Sequence, residues 1–303
     1  MKLRWSWLAA LLPAFLGVLI AALVAVDQLE NHRIYMAGQV IFVAPLIGVL
    51  LTSLMGVILF VQWRAERRIQ YAISRRKAQM AEERRRFLQR LDHELKNPLT
   101  AIRTGLANLA WLPNEGKRQE TLDSVDAQAL RLSRLASDLR KLAELEIRPL
   151  ETAPVDVENL LQEVVAVARE RPDGSQRRLS LTIPQAPWPL PTVKGDQDLL
   201  FLAVHNLLDN ALKFTAPGDT VEIRAFEDGA RLVIEVADTG PGIPEDEAPH
   251  IWDELYRGQG ARGIPGSGLG LALVQAITER HGGQVGLRSR SGQGTVFTLR
   301  LPI

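Results

Sequence analysis

Two adjacent side chains, His93 and Glu94, could carry out nucleophilic chemistry on phosphorus. They lie in the stretch FLQRLDHELKNPLTAI, which runs from Phe87 to Ile102. A neutral imidazole nitrogen can attack a phosphorus atom, and a neighbouring carboxylate can accept a hydrogen bond, and then the proton, from the other ring nitrogen. The pair therefore predicts a phosphoryl-accepting histidine with its own base.

The leucines around His93 predict that its ring faces away from the helix core. Apolar residues recur at spacings of three and four, as in a coiled-coil seam: Leu88, Leu91, Leu95, Leu99, Ile102, Leu106 and Leu109. His93 is two positions from both Leu91 and Leu95, so at about 100° per residue it points to the opposite side. A buried core histidine and an ordinary surface histidine are the alternatives.

Two later motifs are rich in glycine and predict a nucleotide pocket. In DTGPGI, Asp238 ends a predicted strand, where its carboxylate can accept a hydrogen bond from an adenine amino group. Gly240 and Gly242 let the backbone approach the base. The second motif, GSGLGL, contains Gly266, Gly268 and Gly270 and leads into a predicted helix. The free N–H groups at that helix start can cradle phosphates.

A third motif, HNLLDNALKFT, predicts a helix with one polar face. Asn206, Asn210 and Lys213 are spaced four and three apart and so share a face. The other faces are apolar, as expected of a helix that packs on a core and turns its polar stripe towards a ligand. Phe214 then packs against either adenine or the core. A plain solvated face is the alternative interpretation.

The four motifs, in this order, resemble the sensor histidine kinases of two-component signalling over about residues 85–303. The resemblance implies that His93 takes a phosphoryl group from Mg-ATP and passes it to an aspartate of a separate response regulator. It also implies that Glu94 and Asn97 form an E-x-x-N phosphatase signature, in which the amide orients water on the regulator's phospho-aspartate. Asp92 departs from the Ser that is frequent there; its role stays open.

The nucleotide half resembles the Bergerat, or GHKL, fold, an α/β sandwich with helices on one face of a mixed sheet. The resemblance implies that Asn210 ligates Mg²⁺, that Asn206 supports the metal and phosphate region, and that Lys213 contacts phosphate. It further implies that Thr295 shares a water molecule with Asp238. Gyrase, mismatch-repair and heat-shock ATPases share this fold but lack an upstream histidine hairpin.

Composition bounds the remaining possibilities. The chain has 303 residues, a net charge of +1 and no cysteine. Nothing in the overall charge favours a nucleic-acid partner, and the absence of cysteine excludes disulfides, thiol nucleophiles and zinc–thiolate sites. The length is typical of about two domains with attachments.

Two uncharged stretches, Trp5–Val26 and Val40–Val61, predict membrane helices. Each has 22 residues, or about 33 Å of helix, against a hydrocarbon core of about 30 Å. A cleaved signal peptide is the alternative for the first, although no clear A-x-A site precedes Asp27. Basic residues before the first stretch and after the second place both ends in the cytoplasm of a bacterial inner membrane.

The predicted organisation has four parts: a two-helix membrane anchor over 1–62, a helical linker over 63–86, a dimerising histidine hairpin over 87–147 and an ATP-binding domain over 155–303. The linker is too short for a HAMP relay domain. Two apolar seams on one hairpin predict closure into a dimeric four-helix bundle. The external segment 27–39 is too short for a ligand-binding domain, so the signal would enter through the membrane helices, from lipid or from a membrane partner protein.

Two other functions are compatible with parts of the pattern. One is a membrane receptor that binds nucleotide while the hairpin serves only as a scaffold. The other is a membrane-tethered GHKL ATPase without phosphotransfer, which would need a catalytic glutamate near Asn206. No Glu occurs within 199–214, and His205 occupies one plausible position for it.

Overall fold

A computed structural model describes residues 11–31, 34–111, 114–171, 174–184, 188–261 and 263–303. Side chains within 27–42, and those at 83, 110 and 146, lie outside this description. The chain divides into two compact units, Met1–Arg85 and Arg86–Ile303.

The first unit consists of helix α1 (Leu12–Asn31) and the first part of helix α2 (Ile34–Asn108). The segment 27–39, described above as the external segment between the two predicted membrane helices, is helical in its described residues, 27–31 and 34–39. The segment is rich in good helix formers such as Leu, Glu, Met and Ala and holds no proline, which favours helix over loop.

Helices α1 and α2 cross at small residues. A Cβ atom added to Gly17 would lie 2.6 Å from the carbonyl oxygen of Ala44, so the backbones touch there. Close by, the Thr52 hydroxyl accepts the Ala14 N–H at 3.1 Å and donates to the Gly48 carbonyl at 2.8 Å. Close approach at glycine with a bridging hydroxyl is a packing mode of membrane helices.

One described helix is long and apolar enough to cross a membrane, judged by length and composition alone; its searched part begins at Val43. The apolar part of α1, Leu12–Val26, is shorter. Large apolar side chains on both helices are exposed, among them Phe15, Leu46 and Leu50.

The second unit begins with a helical hairpin. The last part of α2 is followed by a 3₁₀ turn, Leu109–Trp111, and by helix α3 (Glu115–Ile147). The Asn114 side chain caps α3 by accepting the Lys117 N–H at 2.9 Å. Among the described residues, the interruption between the two helices comprises 109–111 and Asn114, and Glu115 already belongs to α3.

The rest of the unit is an α/β domain whose main sheet is mixed, as predicted. Its five strands are β2 (Arg178–Thr182), β4 (Thr220–Asp228), β5 (Arg231–Asp238), β6 (Gln284–Arg290) and β7 (Gly294–Pro302). They lie in the order β2-β4-β5-β7-β6, with β2 parallel to β4 and the other pairs antiparallel. A small sheet pairs β1 (Ala153–Val155) with β3 (Val193–Gly195).

Three helices carry the apolar residues that pack on this sheet: α4 (Val157–Arg169), α5 (Gln197–Phe214) and α6 (Gly270–Arg280). Asp156 caps α4 and Asp196 caps α5 through their side chains. The fully buried core includes Leu161, Leu207, Ile223, Ile234 and Ile277. This core fixes α5 and α6, the two helices that carry the predicted nucleotide motifs.

The hairpin packs against the α/β domain through an apolar cluster with polar contacts at its edges. Buried Leu135 of α3 packs with Leu255 and Leu269. Arg90 of α2 lies 3.1 Å from the Asp253 carboxylate. At the far end of α3, the Arg280 guanidinium donates to the carbonyl oxygens of Leu145 and Arg148.

Candidate active site

His93 is exposed on α2, as the leucine spacing predicts. The Asn97 side-chain nitrogen lies 3.1 Å from Nδ1 of His93, one helical turn away. If the amide nitrogen donates this bond, Nδ1 is the unprotonated ring nitrogen, because an acceptor nitrogen carries no proton. The two residues predicted to work on phosphoryl groups thus contact each other.

Glu94 is held by a different residue. Its Oε2 lies 2.6 Å from Nη2 of Arg131, which is on α3. Asp92, by contrast, pairs with Lys96 on its own helix at 2.7 Å, and both of those side chains are well exposed. The base predicted for His93 is therefore anchored across the hairpin in this structure rather than bonded to the His93 ring.

The polar face of α5 carries the predicted metal and phosphate ligands. Asn206 donates from its amide nitrogen to the Leu202 carbonyl at 2.8 Å, which leaves the amide oxygen directed elsewhere. That oxygen meets the start of α6, since a Cβ atom on Gly270 would lie 3.1 Å from it. In the part of the chain that the structure describes, the Asn210 side chain makes no hydrogen bond. Its amide oxygen is a hard donor of the kind Mg²⁺ prefers.

Lys213 is tied to Asp209 on the same helix, with Nζ 2.5 Å from Oδ2. Arg171 reaches the other oxygen of Asp209 at 2.7 Å. Burial would raise the pKa of Asp209, but the hydrogen bonds and charges of Lys213 and Arg171 outweigh it and lower the pKa. Burial also lowers the pKa of His205, which favours the neutral ring.

Asp238 lies at the end of β5, opposite Thr295 of β7. Burial raises the pKa of Asp238, while the backbone N–H groups of Gly240 and Thr295 act in the opposite direction. The Gly240 N–H bond is 2.9 Å long. The Thr295 hydroxyl is 2.9 Å from the Ser289 hydroxyl, so a polar group stands directly beside the carboxylate.

Two glycines of the predicted pocket occupy backbone conformations that side chains disfavour. Gly242 has φ 69° and Gly268 has φ 74°. A Cβ atom on Gly242 would lie 2.0 Å from the Arg290 carbonyl oxygen, so this turn requires glycine. Phe214, at the end of α5, contributes the carbonyl that would meet a Cβ atom on Gly240 at 2.7 Å. Around Gly266 there is open space.

Two cavities lie between the hairpin and the α/β domain. One, of about 260 Å³, is lined by His93, Glu94 and Leu255 together with Gln89 and Arg90. The other, of about 310 Å³, is lined by Glu94 and by residues of the segment Arg257–Gly263. This part of the nucleotide domain, which precedes the GSGLGL motif, thus faces the hairpin at Glu94, the residue next to His93.

Three polar residues that shape this region were not predicted from the sequence. They are Arg131, which holds Glu94; Asp138, which accepts from the Ser267 hydroxyl; and Arg257, which donates to the Ala261 and Ile264 carbonyls. An antiparallel alignment of the two leucine seams could have placed Arg131 opposite Glu94. The contacts of Asp138 and Arg257 do not follow from any periodic pattern in the sequence.

Family comparisons agree with this arrangement. Residues 83–147 match the His Kinase A (phospho-acceptor) domain. Residues 195–303 match the histidine kinase-, DNA gyrase B-, and HSP90-like ATPase family. The chain is 32% identical over 227 residues to the signal transduction histidine-protein kinase BaeS of Escherichia coli (strain K12), covering 73% of this chain and 47% of BaeS. This chain belongs to the sensor histidine kinases. It spans about half the length of curated relatives such as BaeS.

Solved structures of the family agree with the fold. Full-length ShkA in complex with AMPPNP is 31% identical, with a TM-score of 0.52 over 70% of this chain and 44% of ShkA. The histidine kinase ThkA in complex with the response regulator protein TrrA gives a TM-score of 0.61 over 77% of this chain and 66% of that chain. At 21% identity, ThkA supports the fold alone.

Proposed function

We propose that this chain is a membrane-anchored sensor kinase that phosphorylates His93 from Mg-ATP and transfers the phosphoryl group to an aspartate of a response regulator. The observation that carries the proposal is the shared cavity in which His93 and Glu94 of the hairpin meet Leu255 of the ATP-binding domain. An exposed imidazole beside a nucleotide domain is placed for phosphoryl transfer rather than for packing.

In the proposed first step, a ring nitrogen of His93 bonds to the γ-phosphorus of ATP. The bond between that phosphorus and the β,γ-bridging oxygen breaks, and ADP leaves with the electron pair. Glu94 takes the proton of the other ring nitrogen. In the second step, the aspartate carboxylate of the regulator displaces the imidazole from phosphorus while Glu94 returns the proton to the ring, which restores neutral His93 and ionised Glu94.

The pocket residues have separate roles in this proposal. Asp238 accepts the adenine amino group, and the start of α6 at Gly270 presents N–H groups to the phosphates. Asn210 would hold Mg²⁺, helped by Asn206, and the ion when bound would offset the negative charge of the phosphates. Lys213 would leave Asp209 for a phosphate oxygen.

The test is incubation of the full chain, in lipid nanodiscs, with γ-labelled ATP and Mg²⁺. The label should be acid-labile and base-stable, as expected of a phosphoramidate. His93→Gln should abolish it without loss of helix content, because the His93 side chain is exposed. Persistent labelling of that variant would disprove the assignment of His93.

The same experiment distinguishes the kinase from the two alternative functions, a nucleotide-binding scaffold and an ATPase without phosphotransfer. A nucleotide-binding scaffold would bind ATP and remain unlabelled, and a GHKL ATPase would release phosphate without labelling the chain. The exposed position of His93 and the contact between Asn97 and its ring favour the kinase over both.

Homodimerisation is part of the proposal. Leu99 and Leu106 of α2 are about half exposed in the single chain, at 53% and 51%, and Leu95 is exposed to a lesser extent. Such a seam is stable only when it is covered, and a second hairpin would complete a four-helix bundle. Sedimentation of the full chain in detergent should give a dimer, and charged substitutions at Leu99 and Leu106 should give a monomer.

We further propose that α1 and the apolar part of α2 both span the inner membrane, with the kinase domains in the cytoplasm. Since the chain lacks cysteine, single cysteines report topology directly. Asn31→Cys should react with a membrane-impermeant maleimide in intact cells, and Ser74→Cys should react only after lysis. Equal reaction of both would rule out this topology.

A further inference from the structure

The ion pair between Glu94 and Arg131 differs from the Asp92–Lys96 pair, whose carboxylate is on the other side of His93 in the sequence. It joins α2 to α3, residues 37 positions apart, and the two side chains are 20% and 34% exposed. The neighbouring Asp92–Lys96 pair lies within one helix at 61% and 70% exposure. A half-buried pair between two packed helices holds its geometry, whereas an exposed pair within one helix contributes little.

The atoms used in this pair leave Glu94 competent as a base. Arg131 engages Oε2 through Nη2 at 2.6 Å. A carboxylate has two acceptor oxygens, so Oε1 can still accept a hydrogen bond from a ring nitrogen of His93. A nucleophile whose base is oriented by a third group is a recurring arrangement in enzymes. Anchoring Oε2 also fixes where the second oxygen of Glu94 lies. Glu94 directly follows His93 in the chain, so that oxygen is held near the His93 residue.

We propose that Arg131 is a positioning residue for phosphoryl transfer: it holds the Glu94 carboxylate so that one oxygen stays available to the His93 ring. The inference rests on the proposed kinase activity. In this structure Asn97 contacts Nδ1 of His93 at 3.1 Å. A rotation of the His93 ring that turns its protonated nitrogen towards Glu94 would then change its partner from Asn97 to Glu94, while Glu94 remains on Arg131.

A second guanidinium lies close to the pair. The pKa of Arg257 is lowered by burial and by the positive charge of Arg131, and the negative charge of Glu94 acts in the opposite direction. Arg257 also lines the cavity that Glu94 lines. Without Arg131, the carboxylate would have this alternative cation on the nucleotide domain. Arg131 therefore keeps Glu94 with the hairpin and with His93.

The experiment measures initial labelling rates of the full chain in nanodiscs across a range of ATP concentrations. Arg131→Gln should lower the maximal rate about tenfold, because orientation supplies part of the roughly 10²–10⁴-fold contribution of a general base. The ATP concentration at half-maximal rate should change less than about twofold, since no nucleotide contact is lost. Arg131→Lys should restore most of the rate. Arg134→Gln, which removes an exposed charge from the same helix, is the matched control.

A double-mutant cycle distinguishes positioning from a structural role. In a Glu94→Gln background, Arg131→Gln should lower the residual rate by less than about twofold, because the carboxylate that it positions is gone. An equal loss in both backgrounds, or no loss in either, would overturn the proposal. If Arg131→Gln unfolds, Arg131→Met, which also removes the positive charge but keeps an unbranched stem, carries the same cycle. Failure of the kinase proposal looks different, since the wild-type chain would then remain unlabelled.

Discussion

Ser267 donates its hydroxyl hydrogen to the carboxylate of Asp138 at 2.6 Å, which links the glycine-rich segment to α3 of the hairpin. The same hydroxyl oxygen accepts the Leu269 N–H at 3.2 Å. Next to this contact, Leu269 is fully buried against Leu135. The motif expected to cradle phosphates is thus held against α3, the helix that also contacts Glu94 through Arg131.

This contact should restrain the glycine-rich segment. Asp138→Ala should speed amide hydrogen exchange over 263–271 in the nucleotide-free chain, since a hydrogen bond to a charged group contributes about 1.5–3 kcal/mol. Exchange mass spectrometry of the full chain measures it. Asp126→Ala, an exposed carboxylate of the same helix, should leave exchange unchanged. Identical exchange in both variants would mean that the bond does not restrain the segment.

Asp238→Asn should stabilise the nucleotide-free chain and weaken nucleotide binding. Burial raises the pKa of Asp238, so the folded chain binds its proton more readily than the unfolded chain and gains stability as pH falls through that raised pKa. At neutral pH the ionised carboxylate is therefore a destabilising group, which asparagine removes. Asparagine still offers an oxygen to the Gly240 N–H.

The cost of Asp238→Asn should appear in binding of a non-hydrolysable ATP analogue. Loss of a charge-assisted bond to adenine should weaken binding by about 1.5–3 kcal/mol in calorimetry. As pH is lowered, the affinity of the wild-type chain for the analogue should begin to fall at a pH above 3.8, the ordinary pKa of this carboxyl group. Asp228→Asn, which changes an exposed carboxylate at the end of β4, is the control. Unchanged affinity in Asp238→Asn would place adenine elsewhere.

Asp209→Asn should destabilise the nucleotide domain. Its pKa is lowered because Lys213 and Arg171 outweigh burial, so its stabilisation is present above the unfolded value of 3.8 and is lost as pH falls through the lowered pKa. We expect a loss of about 1–3 kcal/mol at pH 7. Melting temperatures of wild type and variant should differ by a constant amount at neutral pH and converge in acid. Glu163→Gln, an exposed carboxylate of α4, should show no such pattern.

Asn97→Ala should separate two activities of the hairpin. His93 supplies its own nitrogen for phosphoryl transfer, whereas Asn97 would orient water on the phospho-aspartate of the regulator. We expect labelling of His93 to persist and regulator dephosphorylation to slow. The measurement is decay of a phosphorylated response regulator with wild-type and variant chains in the presence of ADP. Equal decay rates would mean that Asn97 contacts the His93 ring but has no part in dephosphorylation of the regulator.

Regular patterns in the sequence predicted most of the fold. The spacing of Asn206 and Asn210 indicated α5, and the strand predicted to end at Asp238 is β5. These features depend on neighbours in the chain, so local periodicity reveals them. The solvent-facing position of His93 followed from the same reasoning.

Contacts between distant segments could not be predicted in this way. Arg131 and Glu94 meet only because the register of two antiparallel helices aligns them, and Ser267 meets Asp138 across 129 positions. Neither residue type is unusual where it stands. The identities of the predicted site residues were therefore easier to find than the partners that hold them.

Helix α6 runs from the GSGLGL motif at its first residue to the contact with the end of α3 at its last residue. Its first residue, Gly270, lies against Asn206, and its last, Arg280, holds the carbonyls that end α3. Eleven helical residues span about 16 Å. Because a helix is stiff along its axis, phosphates that displace one end must also move or strain the clamp at the other. We therefore expect a ligand that displaces Gly270 also to shift the contacts of Arg280 with the carbonyls of Leu145 and Arg148.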